Sequence, residues 1–181
     1  QGAIKASELS SYKFSLTIAG IPSSEEYITK LKREAENLPA NLKIDFKLFS
    51  AISPKEEKKE ILDDKYIYIL PTLKEPFGMS IIEASARGNM IVSAETNGPK
   101  YMFQSQSGKN ADWGIITDYG VLADITDNHE KNFATNIGKA IVWTVDNWEK
   151  CADHVKLFNE KVTRMWTWRG IAEQYIKLFR D

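Results

Sequence analysis

The amino-acid sequence predicts an α/β fold built on a doubly wound parallel sheet with helices on both faces. Strand-like and helix-like segments alternate from one end of the chain to the other. Several strand-like segments are apolar at nearly every position, which is typical of parallel strands covered on both faces. No internal repeat and no low-complexity linker divides the chain. Repeated β-then-α order therefore indicates one doubly wound domain over residues 1–181.

Length and composition indicate an ordinary soluble globular domain. The 181 residues are 43% hydrophobic and 27% charged, enough apolar material for a proper core. A net charge of -1 gives no electrostatic reason to expect nucleic acid or an anionic membrane. No apolar run approaches the roughly 20 residues of a transmembrane helix, and no secretory h-region is visible. Cys151 is the single cysteine, which excludes an intrachain disulfide and predicts a cytoplasmic setting.

The first third of the chain predicts two β–α units. Residues 2–9 have the pattern of the end of a helix, and residues 12–20 form an apolar, β-rich run that stops at a glycine. A helix is predicted over 23–38 because Ser24 is a suitable N-cap, with acidic residues in the first turn and basic ones later. The next segments predict a strand at 42–50 and a short charged helix at 53–64.

The middle and the end of the chain continue the alternation. Residues 65–72 predict a strand covered on both faces, and a helix over 77–87 then ends at Gly88. The segments that follow are predicted, in order, as a buried strand at 89–95, a turn at 97–99, a surface loop at 105–114, two short apolar runs within 114–127, a helix at 128–145 and two or three amphipathic helices within 146–181.

The segment KEPFGMSIIEASARG contains two carboxylates in unusual places. Glu75 precedes a proline at the start of the predicted helix, directly after a strand, where open α/β sheets bind ligands. Glu83 lies within the apolar helix, about 7 Å further along its axis. Gly78 permits close approach of a ligand to the backbone. The free amides of the helix start would form an anion site, and they belong to Gly78, Met79 and Ser80.

This arrangement fits a nucleotide-diphosphate sugar. Glu75 could accept hydrogen bonds from sugar hydroxyls, the helix start could hold the diphosphate, and Glu83 could bind the ribose diol. A purely structural interpretation is equally compatible with the spacing, because an acidic residue favours a helix N-terminus and Glu83 could lie on a solvated face. Spacing alone leaves both interpretations open.

A longer stretch resembles the donor-site motif of retaining glycosyltransferases of the GT-B fold, family 4 (group 1). The stretch is ILPTLKEPFGMSIIEASARGNMIVSAETNGP. The residues in register with the motif are Glu75, Phe77, Gly78, Glu83, Ala84, Gly88 and Gly98. The E-P-F-G form followed by G-P is closest to sucrose-phosphate-synthase-like members. Because residues 120–127 and 165–168 resemble later motifs, the resemblance covers nearly the whole chain.

The resemblance implies a Rossmann-like, donor-binding C-terminal half of a two-domain enzyme. Such an enzyme transfers a hexose from a nucleotide sugar, with UDP-glucose favoured over GDP-mannose, to an acceptor that cannot be identified here. Glu75 would contact the hexose near the reacting carbon as the catalytic residue, and Glu83 would bind the ribose. The other donor-binding residues would be Phe77, Gly78, Met79, Ser80 and Gly98. Front-face transfer through an oxocarbenium-like transition state needs no cofactor and no metal, since the nucleotide sugar is itself the substrate.

The sequence departs from this family pattern in two places. Asn97 stands where the family has the first glycine of G-G-P, and asparagine also tolerates positive φ. The family's first strand, with the arginine and lysine that bind the diphosphate, would precede Gln1. We therefore expect a gap in the sheet, an N-terminal acceptor-binding domain of the same enzyme as partner, and no turnover by residues 1–181 alone.

Other protein classes and other residues are less consistent with the sequence, or stay open as alternatives. A dehydrogenase is disfavoured because no G-x-G-x-x-G follows a strand. A non-catalytic nucleotide-sugar-binding module and a GT-B-fold epimerase or phosphorylase stay open. The segment 55–60 is interpreted as a solvated helix face. The remaining polar and aromatic residues are interpreted as surface or cap histidines (His129, His154), as packing tryptophans (Trp143, Trp148, Trp166, Trp168) and as lysines without spacing support for phosphate binding (Lys100, Lys109).

Overall fold

The computed structural model describes residues 1–48, 55–125 and 130–179. The helices are α1 Gly2–Leu9, α2 Glu25–Glu34, α3 Lys55–Asp63, α4 Met79–Ala86, α5 Asn97–Phe103, α6 Glu130–Asp146, α7 Trp148–Met165 and α8 Trp168–Leu178. The strands are β1 Phe14–Gly20, β2 Leu42–Leu48, β3 Ile67–Leu70, β4 Met90–Ala94, β5 Lys109–Ala111, β6 Gly114–Thr117 and β7 Gly120–Ala123. Short 3-10 turns at Ala35–Asn37 and Ser105–Ser107 complete the order.

The predicted α/β class is confirmed, but the sheet is mixed rather than wholly parallel. Strands β3, β4 and β7 run parallel, whereas β6 and β5 continue the same sheet in antiparallel pairing. Two residues join β6 to β7, and Thr117 closes this turn by accepting from the Tyr119 amide and donating to the Gly120 carbonyl. A connection that short leaves no room for a crossover helix, so the two strands must be antiparallel.

The predicted surface loop at 105–114 is wrong in part. It contains a 3-10 turn and strand β5, which pairs with β6 at the edge of the sheet. Several predicted boundaries lie outside the described residues: the end of the strand at 42–50, the start of the helix at 53–64, the start of the helix at 128–145 with His129, and the last two residues. The N-cap prediction is confirmed, because the Ser24 hydroxyl accepts from the Tyr27 amide at 3.1 Å.

The strands fall into two separate groups. Strands β1 and β2 pair in parallel with each other, and no ladder joins them to the five-stranded sheet in the part of the chain that the structure describes. This break matches the gap that the family resemblance predicts. All four residues of β3 are only half-buried, whereas all five of β4 are buried. The prediction that residues 65–72 form a strand covered on both faces is confirmed for β3, because Ile67 and Ile69 pack against one core and Tyr68 and Leu70 against the other. Its partial exposure reflects its position at the edge of the five-stranded sheet.

Helices cover both faces of the sheet, and each face has its own core. One core packs α1 and α6 against alternate residues of β4 and β7, and the other packs α3, α4, α5 and α7 against the intervening residues. Helices α1 and α2 lie together on one face of the β1–β2 pair. Helix α2 connects β1 to β2 over one face, and α4 connects β3 to β4 over the other. Because right-handed crossovers on opposite faces place successive strands in opposite directions across a sheet, the order of the strands reverses between β1 and β3. Open α/β sheets bind ligands at such a switch point.

Most of the tryptophans that the sequence predicts to be packing residues do contact other aromatic side chains. Trp143 contacts Trp113, which sequence reasoning did not single out, and Trp148 packs edge-on against Tyr66. The packing prediction is wrong for Trp168, which is 90% exposed at the start of α8. The surface or cap interpretation of His154 is also wrong, because its ring is half-buried in the middle of α7 and packs edge-on against Trp143.

Cys151 lies in the core that packs α1 and α6 against the sheet, where its thiol should be unreactive. Its side chain is fully buried, and burial raises the pKa of the thiol to about 11. Because only the thiolate is nucleophilic, we expect the peptide carrying Cys151 to resist iodoacetamide at pH 8 in the folded protein and to alkylate fully in guanidinium chloride. Mass spectrometry of the digested protein measures both, and rapid alkylation of the folded protein would contradict the buried position.

Candidate functional site

The loop between β3 and α4 places Glu75 at the switch point of the sheet. The loop leaves the carboxyl end of β3 and enters α4 through Gly78, which is buried and has φ 102° and ψ 54°. A side chain is strained in this left-handed conformation, so glycine is the suitable residue there. Glu75 is half-buried beside it, in the position that the sequence predicts.

The start of α4 carries unpaired backbone donors. The amides of Gly78, Met79 and Ser80 make no hydrogen bond to other residues within the described ranges, as is usual for the first turn of a helix. The Phe77 amide is different, because it donates to Glu75 Oε1 at 3.2 Å. The Glu75 carboxylate therefore folds back over its own loop and uses one of the backbone donors assigned to the ligand.

Glu83 lies on the side of α4 that faces helix α3. Its carboxylate, with 42% of the side chain exposed, forms an ion pair with Lys58. One turn later Arg87 pairs with Asp63, so two ion pairs connect α4 to α3. The interpretation of residues 55–60 as a solvated helix face is confirmed for 56–60, which are exposed, although Lys58 also pairs with Glu83.

Tyr68 is a site residue that sequence reasoning missed. Its side chain lies on the α4 face of β3 and packs against the core there. Burial raises the pKa of Tyr68, and the nearby Glu83 and Glu75 carboxylates raise it further, while a hydrogen bond with the Ser80 side chain opposes the rise. Tyr68 thus lies close to both glutamates. The period-2 alternation of a strand could have assigned its face, but not its neighbours.

The N-G-P segment supports the loop from behind. Asn97, Gly98 and Pro99 are not a free turn, as the sequence predicts, but the first turn of α5. No positive φ occurs at Asn97, so the expected need for that conformation is also wrong. The Gly98 amide donates to the Glu75 carbonyl oxygen at 3.0 Å. Gly98 is buried and packs directly against the Phe77 backbone, so it contacts the loop. Its predicted contact with the donor stays a prediction.

The two weighed lysines lie in different surroundings. The Lys100 ammonium group lies 2.9 Å from the carboxylate of Glu95, the residue that directly follows β4. Lys109 is exposed on β5, at the edge of the sheet opposite to β3. Lys109 is therefore remote from the loop that carries Glu75.

The described residues contain neither a metal-binding cluster nor a helix that could span a membrane. No group of three His, Cys, Asp or Glu side chains in residues 1–48, 55–125 and 130–179 is arranged to hold a metal ion. Across those same ranges, no helix combines the length and apolar character that crossing a membrane requires.

Among the solved structures that share this fold, three are similar over nearly the whole of this chain. HepE of Anabaena, solved with UDP and glucose, has 15% identity and a TM-score of 0.66, over 98% of this chain and 44% of HepE. Sucrose-phosphate synthase of Thermosynechococcus elongatus has 18% identity and a TM-score of 0.63, over 99% and 42%. The pneumococcal O-GlcNAc transferase GtfA, solved with UDP and GlcNAc, has 15% identity and a TM-score of 0.65, over 98% and 31%.

These likenesses show the fold, that of a GT-B glycosyltransferase domain, and the chain spans about a third to under half the length of those proteins. A comparison with curated proteins finds no significant match. The sequence model of the glycosyl transferases group 1 matches residues 1–165. Since that match covers most of the 181 residues, the chain belongs to the group 1 glycosyltransferase family.

Proposed function

We propose that residues 1–181 are the donor-binding half of a retaining glycosyltransferase that transfers a hexose from a nucleotide sugar to an acceptor. The observation that carries this proposal is the position of Glu75, at the switch point and directly before a helix start whose first three amides have no partner among the described residues. Tyr68 lies near enough to Glu75 and Glu83 for both carboxylates to raise its pKa. The nucleotide sugar is the substrate, and the proposed transfer uses no further cofactor and no metal.

The proposed donor pose follows the electrostatics of α4. The positive end of the helix dipole and the amides of Gly78, Met79 and Ser80 would hold the diphosphate. Glu83 would accept hydrogen bonds from the ribose hydroxyls, with its carboxylate oriented by the ion pair with Lys58. Glu75 would release the Phe77 amide to the ligand and accept hydrogen bonds from the hexose hydroxyls near the anomeric carbon.

Catalysis in this pose would depend on positioning and charge. A carboxylate near the anomeric carbon stabilises the positive charge of an oxocarbenium-like transition state, and the helix N-terminus stabilises the departing diphosphate. We propose front-face transfer, in which the leaving diphosphate accepts the acceptor's proton.

The donor and the remaining parts of the enzyme are also proposals. We favour UDP-glucose, with GDP-mannose as the alternative, because two of the similar structures were solved with UDP. The sucrose-phosphate-synthase-like relationship is supported by the E-P-F-G and G-P residues and by the structural likeness to that enzyme. We also propose a cytoplasmic enzyme whose N-terminal domain binds the acceptor. We propose that the isolated chain is inactive, since among the described strands no ladder joins β1 to β3 across the switch point.

The test is calorimetric titration of the complete protein with UDP-, GDP- and ADP-sugars, followed by mass spectrometry of products with candidate acceptors. We expect binding of one nucleotide class and formation of a new glycoside. Binding without any turnover would favour the regulatory module, and conversion of the donor to another sugar nucleotide without an acceptor would favour the epimerase. No binding of any nucleotide sugar would overturn the proposal.

Glu83→Gln tests whether Glu83 binds the ribose diol of the donor. The substitution keeps the size of the side chain but removes the charge that strengthens its hydrogen bonds to the diol, so we expect about a tenfold rise in the donor KM with kcat unchanged. Steady-state kinetics of the complete enzyme measures both constants.

The control for this prediction uses a ligand without the diol. A 2′,3′-dideoxynucleotide inhibitor should bind wild type and Glu83→Gln equally, and Glu56→Gln on the exposed part of α3 should leave all constants unchanged. An unchanged donor KM in Glu83→Gln would remove Glu83 from the ribose site.

A further inference from the structure

Lys161 on α7 is a half-buried cation that the proposed pose does not use. Its Nζ donates to the Met102 carbonyl oxygen at 3.0 Å and lies 4.0 Å from the centroid of the Tyr119 ring and 5.6 Å from that of Trp166. Burial lowers the pKa of this ammonium group. No carboxylate in the described ranges forms an ion pair with it. The Lys161 ammonium group is therefore held by a carbonyl oxygen and two aromatic rings and not by a carboxylate.

The hydrogen bond to Met102 connects Lys161 to the loop through helix α5. Met102 lies in the last turn of α5, where carbonyl groups have no partner within the helix and where a cation complements the dipole. The first turn of α5 contains Gly98, whose amide donates to the Glu75 carbonyl oxygen. Helix α5 is thus fixed at one end by Lys161 and contacts Glu75 at the other.

The ring contacts connect Lys161 to the same loop by a second route. Trp166 follows the end of α7, and its ring packs edge-on against Phe77 with centroids 6.1 Å apart and against Phe158 at 6.0 Å. A cation within about 6 Å of an aromatic face is attracted to it, so the ammonium holds Trp166 in the place where it supports Phe77. Both routes end in the segment between Glu75 and Gly78.

We propose that Lys161 is a positioning residue for the donor loop, which holds Glu75 and Phe77 through α5 on one side and through Trp166 on the other. The effect on catalysis rests on the proposed function, but the effect on the loop does not. The proposal assigns a role to the C-terminal helices, since α7 would transmit its position to the site without touching the ligand.

Hydrogen exchange tests the effect on the loop without any assay of activity. Lys161→Met keeps most of the aliphatic stem and removes the ammonium group, so the Gly98 amide should exchange about tenfold faster than in wild type while the amides of β4 are unchanged. Val162→Ala, which truncates the buried neighbour, is the control for lost stability, and Lys156→Met on exposed α7 is the control for lost charge. Neither control should change exchange at Gly98 relative to β4.

Kinetics of the complete enzyme tests the consequence for Glu75. We expect Lys161→Met to lower kcat about tenfold with the acceptor KM unchanged, because a displaced Glu75 affects the transition state and not acceptor binding, and we expect Lys161→Arg to restore part of the rate. If Lys161→Met does not fold, Trp166→Phe, which loses the Phe77 contact, should give the same pattern with a smaller effect.

The outcomes separate the two proposals. Equal relative exchange at Gly98 in Lys161→Met and Val162→Ala would overturn the positioning role, as would an unchanged kcat in an active enzyme. Faster exchange at Gly98 in a protein that binds no nucleotide sugar would support the positioning role and overturn the proposed function instead.

Discussion

Glu75→Gln is expected to reduce kcat for glycoside formation by about 10³-fold in the complete enzyme, which is the size of effect seen when one group that stabilises transition-state charge is removed. The glutamine side chain can still accept the hydrogen bond that the Phe77 amide gives to Glu75 Oε1, so the loop should keep its shape. What the substitution removes is the negative charge beside the anomeric carbon. Initial rates of product formation with a radiolabelled donor sugar measure the loss.

Two controls decide whether that loss is chemical. Glu149→Gln, in the exposed first turn of α7, should leave the rate within twofold of wild type. The melting temperature of Glu75→Gln should match that of wild type, because no buried contact changes. A rate within threefold of wild type would show that Glu75 is not catalytic and that its place before α4 serves only the helix dipole.

Gly98→Ala is expected to cause the largest loss of stability among single substitutions at the site. A Cβ at this position would lie 2.3 Å from the Phe77 carbonyl oxygen and 2.6 Å from its Cα, and backbone atoms cannot move aside by changing rotamer. Helix α5 must then shift away from the loop, which breaks the Gly98–Glu75 hydrogen bond. We expect a loss of about 3 kcal/mol, or roughly 6–12 °C in Tm for a chain of this length, and at least tenfold weaker donor binding.

Gly20→Ala is the matched control for this substitution. No heavy atom lies within 4 Å of the Cβ that it would add, and its φ is not in the left-handed region. Thermal unfolding followed by circular dichroism should therefore place Gly20→Ala within about 0.5 kcal/mol of wild type. If Gly98→Ala unfolds at the same temperature as Gly20→Ala, the close packing of α5 on the donor loop is absent in solution.

The elements that the sequence predicts correctly are those with strong local patterns. The helix that begins after Ser24 and the buried strand Met90–Ala94 both follow from capping, charge placement and hydrophobic periodicity. The direction of β6 and the edge position of β3 depend on which strands are neighbours, and periodicity carries no information about neighbours. The N-G-P segment was misassigned as a turn because glycine and proline favour turns, whereas here they fit the first turn of α5.

The candidate site divides in the same way. The positions of Glu75 and Gly78 follow from local rules about strand ends and helix starts. The partners of long side chains do not follow from local rules. Lys58 of α3 pairs with Glu83 of α4, and Lys161 of α7 donates to the Met102 carbonyl of α5, so both contacts depend on which helices are neighbours. Tyr68 was missed because a tyrosine in an apolar strand is most simply a packing residue.

The division of the strands into two groups has a consequence for how residues 1–181 behave in solution. Within residues 1–48, 55–125 and 130–179, β1 and β3 each have one edge without a ladder partner, and neither strand contains a charged residue or a proline. Natural edge strands usually carry such residues to discourage pairing with other molecules. Prepared alone, this stretch of chain should therefore self-associate through β1 and β3 and remain monomeric only where another strand occupies both edges.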